Sequence, residues 1–122
     1  MARPPAREDQ LGLLQGTLDM LILQTLRQGR AHGHQIATTI ERTSRDAFQV
    51  DHGSLYPALH RLLKRGWISG TWGTSANNRR AKFYALTRSG RRQLVREATR
   101  WERMVEAVGR VMRPADADGG TR

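Results

Sequence analysis

The chain has 122 residues, a net charge of +10 and no cysteine, which gives room for one domain with a modest core and excludes disulfides, thiol chemistry and thiolate metal sites. Residues 51–100 carry eleven basic side chains against only Asp51 and Glu97, while the flanking parts are near balance; a localised basic field of this kind attracts polyanions, nucleic acid first and acidic membranes second. The longest apolar stretch, around Leu18 to Leu26, is broken by Asp19, Gln24 and Thr25, and "MARPPAREDQ" lacks a signal-type apolar core, so a membrane span is excluded and a cytoplasmic setting is expected.

Residues 1–10, with Pro4 and Pro5, read as a flexible arm. From Leu11 to Leu26 the positions Leu14, Leu18, Leu21, Ile22 and Leu26 recur at helical spacing and predict a first helix, stopped by Gly29. "RAHGH" reads as a turn, and Ile36, Ala37 and Ile40 mark a short second helix ending near Arg42. His32 and His34, without carboxylate or thiol neighbours, do not make a metal set, and neither a metal nor a cofactor is expected.

The stretch "DHGSLYPALHRLLKRGWI" predicts a third helix with Leu55, Leu59, Leu62 and Leu63 on one inward stripe. Asp51 is its candidate N-cap, with Ser54 as the alternative, and Gly66 closes it. Pro57 lacks a backbone N–H and therefore belongs near the helix start. Two runs with β character follow, "WISGTWG" and "AKFYAL", joined by the turn-prone "TSANNRR" into an antiparallel hairpin with a basic tip. Trp67 and Trp72, flanking the first of these strands, are expected to pack the domain core. Thr87 then caps a last helix on which Leu94, Ala98, Trp101, Val105, Val108 and Met112 are spaced 4-3-4-3-4, an a/d seam with no partner in the chain. Residues 114–122 read as a disordered tail.

The fold class is thus mainly α with a small β-hairpin: a winged helix-turn-helix at 11–86 followed by a long helix at 87–113, the candidate dimerisation element. A recognition helix buries one face and offers the other to a major groove. Here the outward set is Ser54, Tyr56, Pro57, His60, Arg61, Lys64 and Arg65. Ser54, Tyr56, His60 and Arg61 lie early enough to reach base edges, while Lys64 and Arg65 suit phosphate. Tyr56 also fits an amphipathic residue packed at the surface, and His60 an ordinary exposed histidine. On the wing, Asn77, Asn78, Arg79, Arg80 and Lys82 suit phosphate clamping or insertion into a minor groove; the alternative for Arg79 and Arg80 is a solvated turn, although no acid between Ile68 and Leu94 pairs with them locally. Trp101, on the seam, is expected to pack against a second subunit; the competing role is the wall of a small-molecule effector pocket at the dimer centre.

The motifs "LLQGTLDMLIL", "GSLYPALHRLLKRGWI" and "NNRRAKFYALTRSGRRQL", in this order, resemble the PadR-type transcriptional regulators, in particular the short form with a single C-terminal helix. The resemblance spans roughly Leu13 to Met112 and implies a winged-helix homodimer that represses transcription. By the same resemblance the first helix, with Leu14 and Leu18, joins the dimer interface, and Tyr56, Arg79, Arg80 and Lys82 contact double-stranded DNA. Two departures stand out: His34 follows "HG" where relatives often carry an aromatic, and "TSA" precedes "NNRR" where they often carry acids. The competing function is a protein-interaction adaptor that uses the heptad helix and has only incidental affinity for nucleic acid. An enzyme is not expected, since no paired acid/base, phosphate loop or nucleophile–base spacing stands out.

Overall fold

The computed structural model describes residues 12–113. The arm at 1–10 and the tail at 114–122 lie outside that range. The order of elements is α1 (Gln15–Leu26), β1 (Ala31–His32), α2 (Gly33–Thr43), α3 (His52–Lys64), β2 (Ile68–Thr74), β3 (Arg80–Leu86) and α4 (Arg88–Met112). This is the expected winged helix-turn-helix with a long final helix.

Each helix start has a local cause except the first. Leu14 precedes α1 without a side-chain cap, so α1 is held by burial of Leu18, Ile22, Leu23 and Leu26. α2 begins on a capping box: the Gln35 N–H donates to His32 Nδ1 at 3.3 Å while the His32 N–H donates to Gln35 Oε1 at 3.0 Å. α3 begins on Asp51, whose Oδ1 accepts the Ser54 N–H at 2.8 Å, as its spacing predicts. α3 then ends on a full reversal at Gly66 (φ +73). The Gly66 N–H donates to Leu63 O and the Trp67 N–H to Leu62 O, a left-handed closure suited to glycine.

The "RAHGH" segment is more than a turn. Ala31 and His32 pair antiparallel with Tyr84 and Phe83 of β3, completing a three-stranded sheet in the order β1-β3-β2. A two-residue strand has no periodicity to read; only its pairing partner defines it. The β2–β3 hairpin runs in register from Ile68↔Leu86 to Thr74↔Arg80.

One core joins the helices and the sheet: α1, α2 and α3 contribute Ile22, Leu23, Leu26, Ile36, Leu55, Leu59 and Leu62, each essentially inaccessible to water. Ile68 and Tyr84 cover it from the sheet and Leu94 from α4. On α3 the buried stripe is Leu55, Ala58, Leu59 and Leu62, with Leu63 at its half-buried edge. Two residues expected at a dimer interface belong to this core instead. Leu18 is 3 % exposed and Leu94 5 % exposed, and both belong to the core cluster to which α1 and the start of α4 contribute. Trp72, expected in the core, is instead exposed on the wing.

The junction into α4 is tightly built. Thr87 Oγ1 accepts the Gly90 N–H at 3.0 Å and donates to Gly66 O at 2.7 Å. Ser89 Oγ donates to the same carbonyl at 2.9 Å. A Cβ on Gly90 would stand 1.9 Å from Trp67 O, so only glycine lets α4 leave the sheet this close to the end of α3. From Thr99 to Arg113 every residue but Gly109 is exposed.

Candidate nucleic-acid interface

α3, the wing and the start of α2 surround one open cleft. Its volume is about 660 Å³, and its lining includes His32, Gly33, His34, Tyr56, Trp72, Asn77, Arg79, Arg80, Lys82 and Tyr84. No acid contributes to it.

The recognition-helix side is anchored by Tyr56, whose ring lies against the first residue of α2. A Cβ on Gly33 would meet the Tyr56 hydroxyl at 2.8 Å, so this glycine is what allows the approach. The His52 ring stands edge-on to Tyr56 at 5.5 Å. Tyr56 therefore stays 45 % exposed yet held on two sides, an orientation that loses little rotamer freedom on meeting a partner. The Tyr56 ring is thus packed where it meets Gly33 and His52 and open to solvent elsewhere. Ser54, Pro57, His60 and Lys64 are exposed on the same helix, and Tyr56, Pro57, His60, Arg61 and Lys64 border a shallow depression of about 510 Å³ along it.

Arg61 is used differently from the sequence expectation. Its Nη2 donates to Asp19 Oδ1 at 2.7 Å, with Nε at 3.5 Å from Oδ2, so the guanidinium ties α3 to α1 rather than pointing into solvent. Its partner is distant in sequence, and no local pattern pairs them. Arg65, proposed for phosphate, lies over the Trp67 ring at 5.0 Å.

The wing side follows from strand alternation. Ile68, Gly70, Trp72 and Thr74 on β2 share a face with Leu86, Tyr84, Lys82 and Arg80 on β3. Near the body this face is apolar and buried; toward the tip it leaves the core and becomes cationic and aromatic. Gly70 makes room for the Lys82 stem, which passes 2.6 Å from where a Cβ would be, and brings Nζ to 6.0 Å from the Tyr84 ring. Burial, with a smaller contribution from the Tyr56 hydroxyl, pushes the Tyr84 phenol above its ordinary pKa. The Arg80 guanidinium covers the Trp72 ring at 4.7 Å. The tip is braced by its own backbone: the Ser75 N–H donates to Arg79 O at 2.7 Å and the Asn78 N–H to Ser75 O at 2.9 Å. Asn78 takes φ +59 there, a left-handed conformation that asparagine tolerates better than most residues. Asn77, Asn78 and Arg79 project from that tip, all exposed.

Two contributors to the cleft escape a reading of the sequence. Trp72 has the same strand phase as the buried Ile68, so alternation alone sends it to the core; the signal that separates them is distance along a strand that outruns the body. His32 shows no side-chain pattern, and its capping role depends on β1 placing it.

A second surface lies on α4, where Trp101, Met104, Val105, Val108, Val111 and Met112 are all exposed. Of the residues expected at an interface, Trp101, Val105, Val108 and Met112 lie on this exposed surface, Ala98 is half-buried before it, and Leu14 is exposed ahead of α1. Met104 and Val111 widen the seam beyond the a/d positions. Among the described residues no helix is long and apolar enough to cross a membrane.

Comparison with known proteins places these features in a family. The profile of the transcriptional regulator PadR-like family matches residues 22–96. A transcriptional regulator from Clostridium thermocellum is 25 % identical with a TM-score of 0.72, covering 79 % of this chain and 93 % of its own. A PadR-like transcriptional regulator from Bacillus cereus is 27 % identical with a TM-score of 0.72, covering 84 % of this chain and 97 % of its own. A PadR family regulator from Eggerthella lenta is 26 % identical with a TM-score of 0.70, covering 83 % of this chain and 86 % of its own.

Proposed function

This chain belongs to the PadR-like family of transcriptional regulators, and from that premise we propose that it is a homodimeric repressor binding a pseudo-palindromic operator. The observation that carries the reading is the acid-free cleft in which the exposed side of α3 and the cationic inner face of the wing converge. An α-helix presented in this way fits a major groove, and a rigid basic hairpin beside it fits the adjoining phosphates or minor groove.

Within the site, Ser54, Tyr56 and His60 are the base-edge readers, and Pro57, exposed inside the helix beside them, shares the contact surface. Lys64 and the wing residues Asn77, Asn78, Arg79, Arg80 and Lys82 hold phosphate. Arg61 acts as a positioning residue, fixing the recognition helix on α1 through Asp19.

Residues 11–86 form the DNA-binding unit in this reading, and the helix at 87–113 assembles the dimer. Its exposed seam, from Trp101 to Met112, is the surface that a second copy covers, and Trp101 is the candidate wall of a small-molecule effector pocket there. Two recognition helices related by a two-fold axis would read half-sites about 10 bp apart. The protein then acts in the cytoplasm by occupancy of DNA, without a catalytic step.

The test is fluorescence anisotropy on a duplex from upstream of the gene and on an unrelated duplex, each at ~50 mM and ~200 mM salt, a span over which purely ionic binding collapses. The upstream duplex is expected to retain a preference at the higher salt. Equal, salt-labile binding to both would sink operator recognition at that site and favour an adaptor that works through the α4 seam.

A further inference from the structure

Holding duplex phosphates draws on cations, polar side chains and backbone donors, and does not call for a large exposed indole. Trp72 is nevertheless 60 % exposed on the wing, where leaving a large apolar ring in water is unfavourable. It is not loose: Arg80 lies over the ring at 4.7 Å, and the β2–β3 register puts it beside Lys82 on the face turned toward α3. Tyr56 and Tyr84 line the same cleft. Its volume of about 660 Å³ falls in the range of small-ligand sites, roughly 300–1,000 Å³.

An aromatic ring in an acid-free groove with guanidinium and ammonium groups alongside matches the chemistry of an unpaired nucleotide. The base stacks on the ring and the phosphate meets the cation, with no need for a particular sequence. In an intact duplex the bases already stack on one another and are closed to such a ring. We propose that the cleft between the wing and α3 seats an unpaired nucleotide, its base on Trp72 and its phosphate toward Arg79 and Lys82, so that the protein binds single-stranded DNA by stacking as well as by charge. The proposal shares its cations with the operator-binding reading; the stacking component stands apart from it.

The test compares two labelled strands of about ten nucleotides, a length within the reach of one aromatic groove. One is oligothymidine; the other is an abasic strand with the same phosphates and no bases. Anisotropy is measured with the full-length protein and with Trp72→Ala and Trp72→Phe. Oligothymidine is expected to bind roughly tenfold more tightly than the abasic strand, the stacking of about one base. Trp72→Ala should abolish that difference while leaving affinity for the abasic strand and the thermal midpoint unchanged, and Trp72→Phe should restore most of it. Equal binding of the two strands by the native protein, or a difference that survives Trp72→Ala, overturns the proposal. A duplex measured alongside separates the two readings. Loss of duplex binding with the base-dependent difference intact would remove the operator reading and leave the nucleotide site standing, and the opposite pattern would do the reverse.

Discussion

The two ends of α4 carry the same apolar spacing and meet different fates. Near its start, Gly90, Gln93 and Leu94 are buried against the body, locked there by Thr87 and by the closeness of Gly90 to the Trp67 carbonyl. Beyond Thr99 the seam continues through Trp101, Val105, Val108 and Met112, and none of the described residues covers it. One pattern is thus divided between a stretch covered by the helix's own domain and a stretch that the described residues leave exposed. A heptad records that a helix has an apolar stripe; it does not record whose atoms will cover it.

The sharpest way to break this comparison is to truncate one side chain in each region. Leu59→Ala, at the centre of the body, should destabilise by about 2–5 kcal/mol in urea denaturation. Val108→Ala should leave the unfolding of a dilute sample almost unchanged. If the two cost the same under dilute conditions, the distal seam is part of the body's own stability. Next in size is the effect of a charge on the seam. With the native chain the thermal midpoint should rise with protein concentration, as mass action requires of an associating fold. Val105→Asp should remove that dependence, and sedimentation should show a single chain.

The proposed DNA face can be divided in the same spirit. Tyr56→Ala should narrow the gap between specific and unrelated duplexes by about 1–3 kcal/mol, whereas Arg80→Gln should weaken both alike and lower the salt slope by about 1. Anisotropy titrations over a salt series distinguish these; identical profiles for the two variants would show that reading and clamping are not separate. The smallest effect is expected at the α3 cap. Asp51→Ala should cost about 1 kcal/mol by thermal denaturation, with the order of duplex preferences intact.

Much of this architecture was legible because its causes are local. Asp51, Gly66 and Thr87 in its capping of Gly90 each act within a few residues of their own position, through a cap or a left-handed closure. The inward stripe of α3 follows from helical spacing. The basic excess between residues 51 and 100 marks where a polyanion would go. Each of these is written in a short window, so the chain states it without help from the rest of the fold.

What tertiary structure alone decided are matters of which segments meet. Leu18 and Leu94 look like seam residues along their helices, yet both are buried in the body's own core. Arg61 looks like a free reader until α1 brings Asp19 to 2.7 Å. Ala31 and His32 become a strand only when β3 arrives beside them. Trp72 shares its strand phase with the buried Ile68 and is exposed because the hairpin extends past the edge of the body. Spacing determines direction within an element; exposure and partnership depend on where that element ends and what it reaches.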